Sequence, residues 1–175
     1  MSTHSEQFVA HLQGFDRRAL AVLRHSLAFA PGSDTRAFPY VERFAGAAVH
    51  EHDARRLALY AVAALFARHP QQAGRSFATA FGELLSRRST PREPNKSIEG
   101  RFIALLGADA ENIVDYLRQA VSLLSAEDLG FDYARLLDDL SRWLNPRFDP
   151  SDLRQRWARD FYRAAQAAFA DATNE

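Results

Sequence analysis

Apolar side chains recur three and four residues apart along most of this chain, and no segment alternates apolar and polar residues as a half-buried strand does. Side chains with that spacing share one face of a helix. The pattern therefore predicts an all-α fold. The predicted helices begin near Ser5 and then cover about 16–28, 37–46, 53–69 and 76–88, followed by apolar stripes within 98–106, 113–124, 133–144 and 153–168.

The segment 53–69 differs from the other predicted helices because it is apolar nearly all round. A helix without a polar face is buried on every side, so we expect it at the centre of its bundle. Asp53 is expected to cap its first turn, and Pro70 ends it.

The segment 89–96 predicts a connection between two packed subdomains. It contains two prolines, several turn-forming residues and no apolar side chain. We therefore expect an N-terminal helical subdomain at 1–88, a linker at 89–96 and a C-terminal subdomain at 97–175. The four amphipathic stripes after the linker, joined by short loops, predict a four-helix antiparallel bundle.

The composition indicates a cytoplasmic protein. The chain has no cysteine, which excludes disulfides and thiolate metal sites. Its first residues lack the basic start and apolar core of a secretory signal. The longest apolar run, Leu57–Ala67, is well short of the ~20 residues of a membrane-spanning helix. We therefore expect no membrane association.

The cluster His50, Glu51, His52 and Asp53 brings four potential metal ligands together in sequence. Zinc-binding helices place two histidines four residues apart, so that both point the same way. Positions 50 and 52 would diverge, and they precede a helix that Asp53 is expected to cap. The spacing therefore predicts no metal site.

A second cluster consists of acidic residues and could indicate a two-metal nuclease, because such enzymes gather carboxylates around paired cations. Its members are Glu127, Asp128, Asp132, Asp138 and Asp139. Asp138 and Asp139 interrupt an apolar stripe on its outer side, which predicts a solvated acidic face instead. The chain also has no nucleotide-binding glycine loop, nucleophile elbow or kinase signature. We therefore predict neither an enzyme nor a cofactor.

Basic residues are concentrated in two stretches, 87–101 and 154–163, that bracket an acidic one. Arg101 and Arg118 each stand beside the apolar stripe of their predicted helix rather than within it. A single arginine in that position is usually a solvated residue over its own core. Several on one surface would instead attract phosphates, with an affinity that falls steeply as salt rises.

Several motifs carry a resemblance to one family. In the second half they are Ser97–Leu106, Tyr116–Arg118, Phe131–Tyr133 with Leu136, Leu137 and Trp143, and Arg156–Tyr162. Phe15–Arg24 and Phe81–Leu85 agree more loosely. With these motifs the chain resembles the CasB family, the small subunits of the type I-E CRISPR surveillance complex Cascade.

The resemblance implies a helical protein of two subdomains that acts in antiviral defence. Paired copies would lie along the inner side of Cascade and contact the guide-carrying backbone subunits and the large subunit. The guide RNA and the target DNA would be further partners. The implied role is to stabilise the R-loop by binding the displaced non-target single strand, while guide pairing selects the sequence.

The candidate nucleic-acid-binding residues follow from the motifs and from location. Arg101 and Arg118 match the family's motifs best, and Arg24 and Arg55 match more loosely. Location in the basic stretch and the expected linker adds Lys96, Arg87, Arg88 and Arg92.

Two other functions are compatible with a helical fold. A zero formal net charge is unusual for a strand-binding subunit and favours a module that bridges other proteins without touching nucleic acid. A helix-turn-helix repressor would need a recognition helix rich in base-reading side chains after a tight turn. The sequence offers no such helix.

Overall fold

The computed structural model describes residues 3–46, 50–90, 93 and 95–171. Helices dominate these residues, and the only β pairing among them consists of isolated bridges. The all-α prediction is confirmed. The helices are α1 Thr3–Gln13, α2 Arg17–His25, α3 Phe38–Ala45, α4 Ala54–Arg68, α5 Phe77–Arg87, α6 Lys96–Leu106, α7 Ile113–Ala126, α8 Tyr133–Trp143 and α9 Ser151–Asp171.

Side-chain caps begin several of these helices. The Asp53 carboxylate accepts hydrogen bonds from the backbone N–H groups of Arg55 and Arg56, as predicted. Ser76 and Asn95 cap α5 and α6 in the same way. Because the first N–H groups of a helix have no partner inside it, each cap satisfies donors that would otherwise be lost.

The chain divides into two compact units that do not follow the order of the sequence. The first unit is Met1–Pro70 with Tyr133–Asp149, and the second is Gln71–Asp132 with Pro150–Glu175. The expected boundary at 89–96 does not coincide with either junction. That stretch connects α5 to α6 inside the second unit, and its residues 91, 92 and 94 lie outside the described part.

The four-helix set expected for 97–175 also differs from the second unit. This unit contains α5, α6, α7 and α9, whereas α8 belongs to the first unit. The reason is long-range packing: α8 lies against α1 and α4, and α9 lies against α5.

The core of the first unit is built around α4. Every residue from Ala58 to Ala67 is buried, which confirms the prediction for this segment. Phe66 packs against the ring of Tyr133 of α8, with ring centroids 5.2 Å apart. The Tyr133 hydroxyl donates to the His69 carbonyl at 2.6 Å, so this buried polar group is satisfied.

The core of the second unit depends on close contact between α5 and α9. A Cβ atom at Gly82 would collide with the backbone carbonyl of Phe161 and lie 2.9 Å from Cβ of Ala164. Only glycine permits this approach. It also brings Phe161 onto Phe102 of α6, with the rings stacked 3.9 Å apart.

Candidate nucleic-acid interface

Seven of the eight predicted nucleic-acid-binding residues belong to the described part of the chain, and Arg92 lies outside it. They are distributed over both units. Arg24 and Arg55 belong to the first unit, on α2 and α4, whereas Lys96, Arg87, Arg88, Arg101 and Arg118 belong to the second. The contacts of these residues distinguish them further.

Arg101 and Arg118 lie on α6 and α7, which pack against each other. Arg101 is exposed, and its guanidinium has no hydrogen bond or ion pair within the described residues. Arg118 is also exposed and lies 3.6 Å from the carboxylate of Asp115, one turn earlier on α7. An exposed pair of this kind is weak, because water and salt screen it. The guanidinium of Arg101 is therefore available to a phosphate, whereas a phosphate at Arg118 would have to compete with its contacts in the protein.

Arg87 and Arg88 are instead tied to the end of α7. Nη2 of Arg88 lies 2.8 Å from the Glu127 carboxylate, and Nη1 of Arg87 donates to the Glu127 carbonyl at 3.2 Å. These contacts fasten the C-terminal ends of α5 and α7 together. A phosphate would have to compete with them.

The remaining three described candidates are less constrained. Lys96 is exposed at the first residue of α6, Arg24 is exposed in the last turn of α2, and Arg55 is half-buried in the first turn of α4. Their side chains make no hydrogen bond or ion pair with the described residues. Arg24 and Arg55 lie on helices that pack against each other within the first unit.

A recess beside Arg101 contains residues that the sequence did not single out. It lies between α6 and α7, has a volume of about 50 Å³, and is lined by Arg101, Ala104, Tyr116, Gln119, Ala120 and Leu123. Tyr116 stands in a motif that carried the family resemblance, and Gln119 follows that motif by one residue. The motif could therefore have indicated them, but only the packing of α6 on α7 shows that they meet Arg101.

The predicted solvated acidic face is wrong for Asp132 and Asp139, which are both buried. Asp139 of α8 is buried, and the neighbouring Asp138 accepts a hydrogen bond of 2.5 Å from the Ser5 hydroxyl, because α1 covers that side of α8. In the second unit Asp132 is buried and accepts from the Gln72 amide at 3.1 Å. These carboxylates are held in separate structural contacts.

The described part of the chain contains no group of three histidine, aspartate or glutamate side chains placed to hold a metal ion. His52 lies 3.4 Å from the Glu51 carboxylate in the loop before α4. None of the described helices has the length and apolar character to cross a membrane.

Comparison with known proteins places this fold and sequence among CRISPR-associated proteins. The profile of the family described as CRISPR-associated protein Cse2 matches residues 19–162. A CRISPR-associated protein Cse2 from Thermus thermophilus is 43% identical over 148 residues, which cover 83% of this chain and 79% of the relative.

Solved structures agree with the sequence comparison. The crystal structure of a Cse2-family protein from Thermus thermophilus has a TM-score of 0.75 at 42% identity and covers 93% of this chain and 99% of that one. CasB from M. ruber has a TM-score of 0.77 at 32% identity, covering 95% and 97%. A chain of a CRISPR RNA-guided surveillance complex shares the fold, with a TM-score of 0.78 at 21% identity over 97% of both chains.

Proposed function

The chain belongs to the Cse2 family of CRISPR-associated proteins, and we propose that it is the small, non-catalytic subunit of a type I-E CRISPR RNA-guided surveillance complex. In that complex it stabilises the R-loop by binding the displaced non-target DNA strand during antiviral defence. Its partners are the backbone and large subunits, a second copy of itself, the guide RNA and the target DNA.

The observation that carries the strand-binding role is the exposed guanidinium of Arg101 on α6, with Arg118 exposed on the neighbouring helix α7. Arg101 is exposed and its side chain has no partner within the described residues. Arg118 is also exposed, and an ion pair of 3.6 Å with Asp115 is among its contacts. The two arginines lie on helices that pack against each other. Positive side chains that track phosphates bind single strands with little sequence preference, which suits a subunit that leaves sequence choice to the guide.

A bridging module that never contacts nucleic acid is the second candidate function. Two observations favour it: the zero net charge of the chain and the exposure of Ile103 on α6, which is 54% exposed. The two functions differ in their dependence on salt. Only strand binding predicts an affinity for single-stranded DNA that falls as the salt concentration rises.

The test is a double variant, Arg101→Ala with Arg118→Ala, in the assembled complex. Each phosphate contact with a single strand contributes roughly 0.7 to the slope of log affinity against log salt, so losing two should flatten the slope by about 1.4. R-loop formation across a salt series measures the slope. Helicity and co-purification with the other subunits are measured in parallel.

A matched control tests whether the change in slope comes from these two positions or from the loss of two positive charges. Arg17→Ala with Arg147→Ala also removes two exposed arginines whose side chains make no hydrogen bond or ion pair within the described residues, and neither is a candidate for strand binding. We expect the control to keep the wild-type slope. If the Arg101 and Arg118 variant assembles and also keeps the wild-type slope at every salt concentration, the bridging function replaces the strand-binding one.

A further inference from the structure

We infer that the recess between α6 and α7 receives a nucleobase of the bound strand, with the base against Tyr116 and the adjoining phosphate at Arg101. This inference rests on the proposed function and extends it. Binding through phosphates alone would need only a basic surface. The recess adds a place for the base.

The lining of the recess combines apolar walls with polar groups that have no partner in the protein. Ala104, Ala120 and Leu123 supply the walls. The guanidinium of Arg101, the hydroxyl of Tyr116 and the amide of Gln119 make no hydrogen bond within the described residues. An apolar pocket with a few converging, unsatisfied polar groups is the usual form of a ligand site.

The residue types point to a base more than to a protein side chain. Tyr116 is half-buried, so its ring is held by packing while part of it borders the recess. Aromatic rings bind the faces of bases without regard to sequence. Among the residues that line the recess Arg101 carries the charge, and its positive guanidinium favours an anionic chain such as a nucleic acid.

A recess in the first unit provides an internal contrast. It is lined by Gly14, Phe15, Asp16, Arg18, Ala19 and Tyr40. There the two aromatic rings pack edge to face on each other at 5.3 Å, and the Asp16 carboxylate caps α2. The rings are already partnered, and the Asp16 carboxylate offsets the positive charge of Arg18, which a phosphate would need. The recess beside Arg101 has neither disadvantage.

The test compares two target duplexes in the assembled complex. One carries a non-target strand with an unbroken run of thymidines, and the other carries abasic sites in the same run. Base stacking on an aromatic residue contributes ~1–3 kcal/mol, so Tyr116→Leu should weaken R-loop binding about 5-fold to 150-fold on the thymidine strand. Leucine keeps apolar bulk at a half-buried position, and Tyr116→Phe should retain most of the affinity because it keeps the ring.

Two features distinguish this effect from the loss of a phosphate contact. Tyr116→Leu should leave the salt slope unchanged, and the difference between wild type and variant should disappear on the abasic strand. If the double arginine variant flattens the slope but Tyr116→Leu binds both strands like wild type, strand binding stands and the base site is refuted. If Tyr116→Leu instead impairs co-purification with the other subunits, the recess is a protein docking site and the inference is also overturned.

Discussion

Arg56 in the first unit and Arg101 in the second are both helical arginines close to a tyrosine, but their surroundings differ. Arg56 is only 6% exposed. Its guanidinium donates to both oxygens of the Glu42 carboxylate at 3.1 Å and to the Glu51 carbonyl at 3.2 Å, and it lies 4.8 Å from the Tyr60 ring centroid. Arg101 is exposed and has no such partner within the described residues.

The groups around Arg56 are also engaged in contacts within the protein. The Tyr60 hydroxyl donates to Glu42, and burial raises the pKa of Tyr60 well above its usual value. Gly32, with φ of +78°, leaves no room for a Cβ atom, which would lie 2.6 Å from Nη1 of Arg56. The comparison shows that hydrogen-bond partners, rather than residue type, separate a structural arginine from one that can bind a ligand.

The largest expected effect is on the stability of the first unit. Arg56→Ala removes the cation and the bidentate pair, so that the Glu51 carbonyl loses this donor and Glu42 retains the Tyr60 hydroxyl. Breaking a buried ion pair costs about 3–5 kcal/mol, and Glu42 is 45% exposed and can be rehydrated. We therefore expect a loss of about 2–3 kcal/mol in the free energy of unfolding, measured by urea denaturation with circular dichroism.

Arg55→Ala, one residue earlier on α4, is the matched control. The Arg55 side chain makes no hydrogen bond or ion pair within the described residues, so its loss should change the free energy of unfolding by no more than about 0.5 kcal/mol. Equal losses for the two variants would contradict the distinction between partnered and unpartnered arginines.

A smaller effect is expected on acidification. Hydrogen bonds from Arg56, and then from Tyr60, hold the pKa of Glu42 below its usual value of 4.5. The unfolded chain therefore takes up the proton first as the pH falls. The stability that Glu42 contributes is complete above pH 4.5 and is lost as the pH falls through the lower pKa of the folded protein.

The measurement is the difference in unfolding free energy between wild type and Glu42→Gln over a pH series. Because the carboxylate is partly exposed, we expect a difference below about 1 kcal/mol that shrinks below pH 4.5. Subtracting the unfolding free energy of the variant from that of the wild type cancels the contributions of groups that titrate in both proteins. A difference that stays constant into the acid range would show that the pair with Arg56 does not depend on the charge of Glu42.

Local patterns predicted the helices, but not which helices pack together. The apolar character of the fourth helix and the cap at Asp53 are encoded within a few residues, so both were predicted. The stripe of α8 indicates which face is buried and says nothing about the partner of that face. Grouping α8 with its neighbours in sequence therefore failed, because it packs with α1 and α4 across more than sixty residues.

The same limit applies to the candidate site. The position of Arg101 beside an apolar stripe predicted its exposure, which the structure confirms. The contact of Arg88 with Glu127 joins residues 39 positions apart, and the recess of Arg101, Tyr116 and Gln119 depends on how α6 lies on α7. Neither follows from the spacing of residues along one helix.

The smallest effect that we expect comes from releasing an arginine that is now partnered. Glu127→Gln removes the negative charge that holds Arg88, whose side chain is 35% exposed, and keeps a side chain of similar size. If Arg88 borders the strand, its release should steepen the salt slope of R-loop formation by up to roughly 0.7, the contribution of one phosphate contact. The stability should change little, because the pair is partly exposed.

A second substitution tests whether Arg88 is responsible for the steeper salt slope of the Glu127→Gln variant. Arg88→Ala in the Glu127→Gln background should restore the wild-type slope, since it removes the guanidinium that the first substitution made available. Arg88→Ala alone should flatten the slope less than Arg101→Ala does, because Glu127 already competes for Arg88. The comparison between partnered and unpartnered arginines fails if the two single alanine variants flatten the slope equally and Glu127→Gln has no effect. In that case proximity to the strand, and not the state of pairing, determines which arginines bind it.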